Sequence, residues 1–264
     1  MAEQTIAVIG SKGGAGTTTV ALNVAAQIAQ LTKKRTALIE LARPFGQIAL
    51  MLDIEPRFTL LDALDRGPRL DAAVLASLMT RHKIGVEMLL GARHLALTAE
   101  QRQRATIDGL LHILQMAQAA YDFVIVDLGF VNAAEWARVL NVAETLLLIS
   151  EPSELALGML KRYLEAVDSA GLERERFRMV INRARQNDEE MIFRHERSLR
   201  QTFFMQLPND YRQVSEAVKL GIPLAASSNN PLVARYRQMA AQLVKPIGLS
   251  AKEVSEVEAS LAQK

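Results

Sequence analysis

Residues 5 to 31 constrain this chain more than any other stretch. A β-branched apolar run, Thr5 to Ile9, leads through Lys12-Gly13-Gly14-Ala15-Gly16-Thr17-Thr18-Thr19 into Thr18 to Leu31, where apolar residues recur at helical spacing. In the order strand, loop, helix, glycines at 13, 14 and 16 permit positive φ angles and close approach, so that successive N–H groups point inward while the helix N-terminus adds partial positive charge. That is a cradle for phosphate; the alternative is an ordinary structural turn between strand and helix. The lysine that normally follows the last glycine of such a loop is missing, and Thr17 stands in its place, with Thr18 where a magnesium-binding hydroxyl belongs. Binding and catalysis therefore have to be argued separately.

Further along, apolar strand-like runs alternate with helical ones: Thr36–Glu40, Val86–Leu90, Phe123–Asp127, Thr145–Ser150, Phe177–Asn182 and Phe203–Leu207 are strand candidates. Helical patterning covers residues 71–80, 99–119, 154–170 and 189–200. This alternation predicts an α/β fold, a mostly parallel sheet with helices on both faces, as one domain over 1–247 with a short helical tail over 248–264. Half of the 264 residues are hydrophobic, enough for a large core. No apolar run reaches the roughly eighteen residues of a membrane span, and no secretory signal reads from the N-terminus. With no cysteine, disulfides, thiolate metal sites and cysteine-held iron–sulfur clusters are excluded; His82, His94, His112 and His195 lie far apart without ligand spacing. A net charge of +2 with dispersed basic residues argues against nucleic acid as a partner.

In such sheets ligands bind beyond the carboxyl ends of the strands. Asp127 ends a run of four apolar residues, a costly place for an unpaired carboxylate, and is the candidate for holding magnesium through water; capping the next helix is its structural alternative. Glu40 ends the second strand some twenty-odd residues after the glycines, as a ribose-binding acid does in dinucleotide folds. The loop lacks the third glycine of that fingerprint, however, and carries a lysine that a dinucleotide site does not need.

SKGGAGTTTVALNVA resembles the deviant Walker A motif of the ParA/MinD family of P-loop ATPases. Within the family the chain is similar to the CpaE/TadZ branch of pilus-assembly proteins, over most of its length: the GTTT ending of the loop, PFGQIALMLDIEPRFTLLDAL at 44–64, YDFVIVDL at 121–128, Trp136, ISEPSELAL at 149–157, VINR at 180–183 and LPNDYRQVSEAVKLGIPL at 207–224. The loop points to the superfamily and the last segment to the branch. The resemblance implies ATP and Mg2+ as cofactors, held by Gly13, Gly14, Ala15, Gly16, Thr17, Thr18 and Thr19, with Thr18 and Asp127 at the metal. Asn182, Arg183, Pro208, Asn209 and Asp210 would face the base, and Lys12 would reach the phosphates of a partner protomer across a sandwich homodimer. The residue-level alternatives are a strand-end cap for Asn182 and a turn before a helix at Tyr211 for Pro208-Asn209-Asp210.

The departures from the pattern carry as much information. Relatives that hydrolyse ATP well have an Asp-x-Asp pair after the second strand, where this chain reads Glu40-Leu41-Ala42 with Arg43 next. Thr17 removes a charge-assisted contact worth about 1.5 to 3 kcal/mol, which leaves Lys12 in trans as the main remaining positive charge for the phosphates, with Arg43 in cis as the alternative. Phosphoryl transfer depends on positioning and charge neutralisation, so the expectation is an ATP-responsive dimer with at most a weak Mg-dependent ATPase activity. The tail, opening Ser250-Ala251-Lys252-Glu253 as a capping box, has a narrow apolar stripe flanked by acids, which suits packing on protein rather than lipid. The resemblance implies a cytoplasmic factor at the cell pole or at the inner membrane, held there by a pilus secretion ATPase and platform proteins. An active ParA/MinD-type ATPase and a ParA-like DNA-partitioning protein are the alternative functions.

Overall fold

In the computed structural model, residues 2–41, 46–91, 106–224 and 230–244 are described. They form an eight-stranded sheet in the order β3-β4-β2-β5-β1-β6-β7-β8, with β1 Gln4–Gly10, β2 Thr36–Glu40, β3 Thr80–Arg81, β4 Val86–Leu89, β5 Phe123–Gly129, β6 Thr145–Ser150, β7 Phe177–Ala184 and β8 Met205–Pro208. Every pairing is parallel except that of β3 with β4 at one edge. The inner strands are buried along their length save Gly129 at the end of β5 and Thr145 at the start of β6, which is why they read as continuous apolar runs instead of alternating ones.

Two hydrophobic clusters cover the two faces of the sheet. On one face lie α1 Thr17–Thr32, α2 Ile48–Met51, α9 Tyr211–Lys219 and α10 Pro231–Val244. The other carries α3 Leu60–Arg66, α4 Ala72–Leu78, α5 Ile107–Ala120, α6 Ala137–Leu140, α7 Glu154–Ser169 and α8 Glu189–Leu199. The first helix is buried on most of its circumference, because α10 packs over its outer side; Tyr236 of α10 is among the largest fully buried side chains.

The expected architecture is therefore present, with local shifts. The last strand starts at Met205 instead of Phe203, and the helix expected over 71–80 ends at Leu78 so that Thr80 and Arg81 can pair with Met88 and Glu87. Trp136 is the N-cap of the four-residue α6. Helix α10 had no counterpart among the expected elements. Ala42, Arg43, His94, the first part of the 99–119 helix and the 248–264 tail lie outside the described residues.

Strand order positions the site. The chain steps from β1 to β2 on one side, past β5, and later from β6 through β7 to β8 on the other, so β1 lies at the point where the winding reverses. The crevice beyond the carboxyl ends of β5, β1 and β6 is where a doubly wound sheet accepts its ligand.

Candidate functional site

The glycine-rich loop leaves β1 at Gly10 and enters α1 at Thr17. Ser11 secures its start: its N–H donates to the Ile149 carbonyl at 2.8 Å and its hydroxyl to the Ser150 hydroxyl at 3.1 Å, tying the loop to the end of β6. At the far end Gly16 is the N-cap of α1 with φ +93°, a left-handed value that glycine adopts without steric cost. A Cβ there would lie 2.2 Å from Asn182 Nδ2. Asn182 donates to the Ala15 carbonyl at 2.9 Å, so the end of β7 holds the loop against the sheet. Among the described residues, the backbone N–H groups of Gly13 through Thr19 have no acceptor. A row of unsatisfied donors running into a helix N-terminus fits an anion. Thr17 does not reach out as a lysine would. Its hydroxyl lies 2.7 Å from where a Cβ on Gly10 would be, folded back beneath the loop, and the residue is buried.

Asp127 lies beside this loop on the neighbouring strand, fully buried. Its Oδ1 accepts the Gly129 N–H at 3.1 Å, whereas Oδ2 has no partner among the described residues. Burial pushes its carboxyl up to about 7, and the nearby Glu40 carboxylate adds to the rise. The facing Thr18 hydroxyl and the Gly129 N–H oppose it, the hydroxyl without a hydrogen bond of normal geometry to Oδ2. An orphaned buried carboxylate oxygen facing a threonine hydroxyl fits Mg2+, whose usual protein ligands are one or two such oxygens with water and phosphate completing the shell.

Glu40 is the register partner of Asp127 and is also fully buried, yet its two oxygens are fully engaged. Oε1 accepts Gln47 N–H at 2.6 Å and Ile48 N–H at 3.0 Å; Oε2 accepts Gly91 N–H at 2.9 Å. Gly46 and Gly91 crowd around the carboxylate so closely that a Cβ on Gly91 would lie 2.8 Å from the Gly46 Cα. Glu40 therefore pins the segments that follow β2 and β4 together, and its oxygens are not free for a ribose.

Over the loop mouth, Lys12 Nζ pairs with Glu151 Oε1 at 2.8 Å and Arg183 Nη1 with Glu151 Oε2 at 3.2 Å. The 207–210 segment is fixed nearby. Pro208 is the register partner of Ala184, Asn209 N–H donates to the Ala184 carbonyl at 2.9 Å, and Asp210 caps α9 by accepting Gln213 N–H while also accepting the Asn230 side-chain amide. Thr19 gives its carbonyl to Asn23 Nδ2. Lys12, Gly13 to Thr19, Asp127, Asn182 and Arg183 thus come together at the carboxyl ends of β1, β5 and β7, with Pro208, Asn209 and Asp210 beside the end of β7. Asn182 grips the loop through Nδ2 and accepts the Arg183 N–H on Oδ1. Glu151 was not among the expected site residues. Its signal was the one that singled out Asp127 and Glu40, an acid at the carboxyl end of a buried strand.

Residues 3–178, two thirds of the chain, match the family described as AAA domain, and the chain belongs to that family. Its fold is that of the ParA/MinD P-loop ATPases. It resembles the ParA family ATPase from Chlorobium tepidum TLS, with a TM-score of 0.83 and 20% identity over 90% of this chain and 99% of that one. The septum site-determining protein MinD of Pyrococcus horikoshii OT3, solved with Mg-ADP, matches with a TM-score of 0.73 and 19% identity over 93% and 97% of the two chains. An uncharacterized ATP-binding protein of Methanocaldococcus jannaschii is 25% identical over 236 residues, 89% of this chain and 86% of that protein. No helix among the described residues is long and apolar enough to cross a membrane.

Proposed function

We propose that this protein is an ATP-responsive dimeric scaffold of the CpaE/TadZ pilus-assembly kind, with weak or absent ATP hydrolysis. The observation that carries the nucleotide half of this reading is the row of unsatisfied N–H groups from Gly13 through Thr19 beside the orphaned Asp127 Oδ2. The Methanocaldococcus relative named for ATP binding and the MinD structure holding Mg-ADP support it. The loop amides would wrap the phosphates, and Thr18 and Asp127 would hold Mg2+, one through its hydroxyl and the other through water. Bound there, the metal would neutralise phosphate charge and fix phosphate orientation. The Asn182 bond to Ala15 keeps the loop in shape before anything arrives.

Poor turnover follows from what surrounds that cradle. Thr17 brings no charge, position 42 is alanine, and the Glu40 oxygens are committed to three backbone donors, so neither position 40 nor position 42 offers a carboxylate to orient a water. A second protomer facing the loop is supported by the exposed apolar side chains Phe130, Leu155 and Tyr211. These follow β5, β6 and β8 at the same carboxyl-end side of the sheet as the loop. The pilus role, with a secretion ATPase and inner-membrane platform as partners, rests on the sequence resemblance, above all LPNDYRQVSEAVKLGIPL.

Calorimetry with ATP and magnesium, with phosphate release followed in the same samples, tests the reading. Magnesium-dependent binding with negligible release is expected. Rapid steady-state release would make the protein an active ATPase, and absence of binding would leave it a nucleotide-independent adaptor. ATP-dependent, salt-sensitive DNA binding would point to a partitioning role.

A further inference from the structure

Strand β7 does not run straight to its end. Its pairing with β8 loses register between Ile181 and Ala184, and within that irregularity Arg183 has φ +61°, a left-handed value uncommon for a residue with a side chain. Asn182 organises the distortion by accepting the Arg183 N–H on its Oδ1 while its Nδ2 grips the Ala15 carbonyl. A straight strand would alternate its side chains across the sheet; this bulge instead aims Arg183 at Glu151 over the loop mouth. Strained backbone at a site is retained when the surroundings over-determine it, and here a buried amide and an ion pair do so.

We infer that Arg183 supplies, within its own protomer, the phosphate-binding charge that Thr17 lacks, and that Glu151 is the counter-ion holding Arg183 and Lys12 until phosphate replaces it. This rests on the nucleotide reading above. Three charges cluster at the loop: Lys12 at its start and Arg183, next in the chain to the Asn182 that grips Ala15, are bridged by Glu151 at 2.8 and 3.2 Å. The trio carries one net positive charge, and a triphosphate offers both cations more acceptor oxygens than one carboxylate does. Its negative charge also repels Glu151, which is about one fifth exposed and so has a route outward. Arg183 is half exposed, so its pairing with Glu151 alone holds it weakly and leaves it available to a ligand. A guanidinium fork matches phosphate geometry as well as an ammonium does, and it reaches the loop from the β7 side, whereas a P-loop lysine reaches it from α1.

The test is ATP·Mg affinity by calorimetry for wild type, Arg183→Ala, Arg183→Gln, Arg183→Lys, Glu151→Gln, Thr17→Lys and Thr17→Lys combined with Arg183→Ala, each checked for folding by its thermal transition. Loss of the charge in Arg183→Ala and Arg183→Gln is expected to weaken binding about ten- to hundredfold, with Arg183→Lys retaining most of the affinity. Glu151→Gln is expected to tighten binding severalfold. Restoring the loop lysine should rescue Arg183→Ala by a larger factor than it improves wild type, because the two cations serve the same phosphates. Unchanged affinity in both Arg183→Ala and Arg183→Gln would overturn the inference, as would strictly additive effects of the two substitutions. Weaker binding in Glu151→Gln would overturn the counter-ion role. If neither wild type nor Thr17→Lys binds ATP, the nucleotide reading itself falls and this inference with it.

Discussion

Two buried carboxylates sit side by side at the ends of β2 and β5, and their partners give them opposite jobs. Asp127 has one oxygen unsatisfied and a carboxyl pushed up to about 7, chiefly by burial. In the unfolded chain it loses its proton near its ordinary value of 3.8. Between those pH values the native state binds the extra proton, so this contribution to stability is present below about pH 4 and is lost as pH rises through about 7. Nucleotide-free protein should therefore carry a penalty on the order of 2 to 4 kcal/mol at pH 8 from this group. Asp127→Asn is expected to raise the melting temperature at pH 8, to give no gain near pH 4, and to abolish stabilisation by ATP·Mg; melting curves across that range check all three. Glu40 has the reverse character. Replacing it with alanine strands the N–H groups of Gln47, Ile48 and Gly91, and a loss of about 3 kcal/mol or more is expected in urea unfolding, whether or not nucleotide is added. From sequence both residues read only as acids ending apolar runs. What separates them is the backbone of residues 47, 48 and 91, which chain position alone does not bring near.

Elements were legible where periodicity was strong and self-contained. The buried strands announced themselves as unbroken apolar runs, and the first helix followed directly from the glycine loop. The two-residue β3 gave no pattern, since its only reason to be extended is its pairing with β4. Helix α10 does carry apolar residues at helical spacing, Leu232, Val233, Tyr236, Met239, Ala240, Leu243 and Val244, behind a proline at its first position. Its importance lies in covering α1, a contact between the two ends of the chain. The loop residues of the site were legible for the same reason that the first helix was. The Asn182 clamp was not, because it joins positions 167 residues apart. This clamp makes the loop and β7 one unit. Gly16→Ala places a methyl group onto Asn182 and forces a φ that alanine resists, and the expected cost is about 1 to 3 kcal/mol of stability. Hydrogen exchange should show faster opening of both the loop and the end of β7 in that variant, whereas a purely local effect would leave β7 unchanged.

At the scale of the whole molecule, the charges over the loop would link nucleotide to assembly in the proposed dimer. In the isolated protomer Lys12 is paired with Glu151 of its own chain, so a partner protomer can receive it only once that pair opens. If phosphate draws Arg183 from Glu151 in cis and Lys12 reaches the partner's phosphates in trans, each event favours the other, because linked equilibria are reciprocal. ATP affinity is then expected to rise, by about tenfold or more, as protein concentration passes from well below to well above the dimerisation constant. Dimerisation measured by sedimentation should strengthen by the same factor when ATP is added. Lys12→Ala should remove the concentration dependence while keeping the weaker monomer affinity, since the loop amides and Arg183 remain. Affinity that is the same at both concentrations would show that the two sites are independent, and Lys12 would then belong to its own protomer, as its 2.8 Å contact with Glu151 has it in the isolated chain.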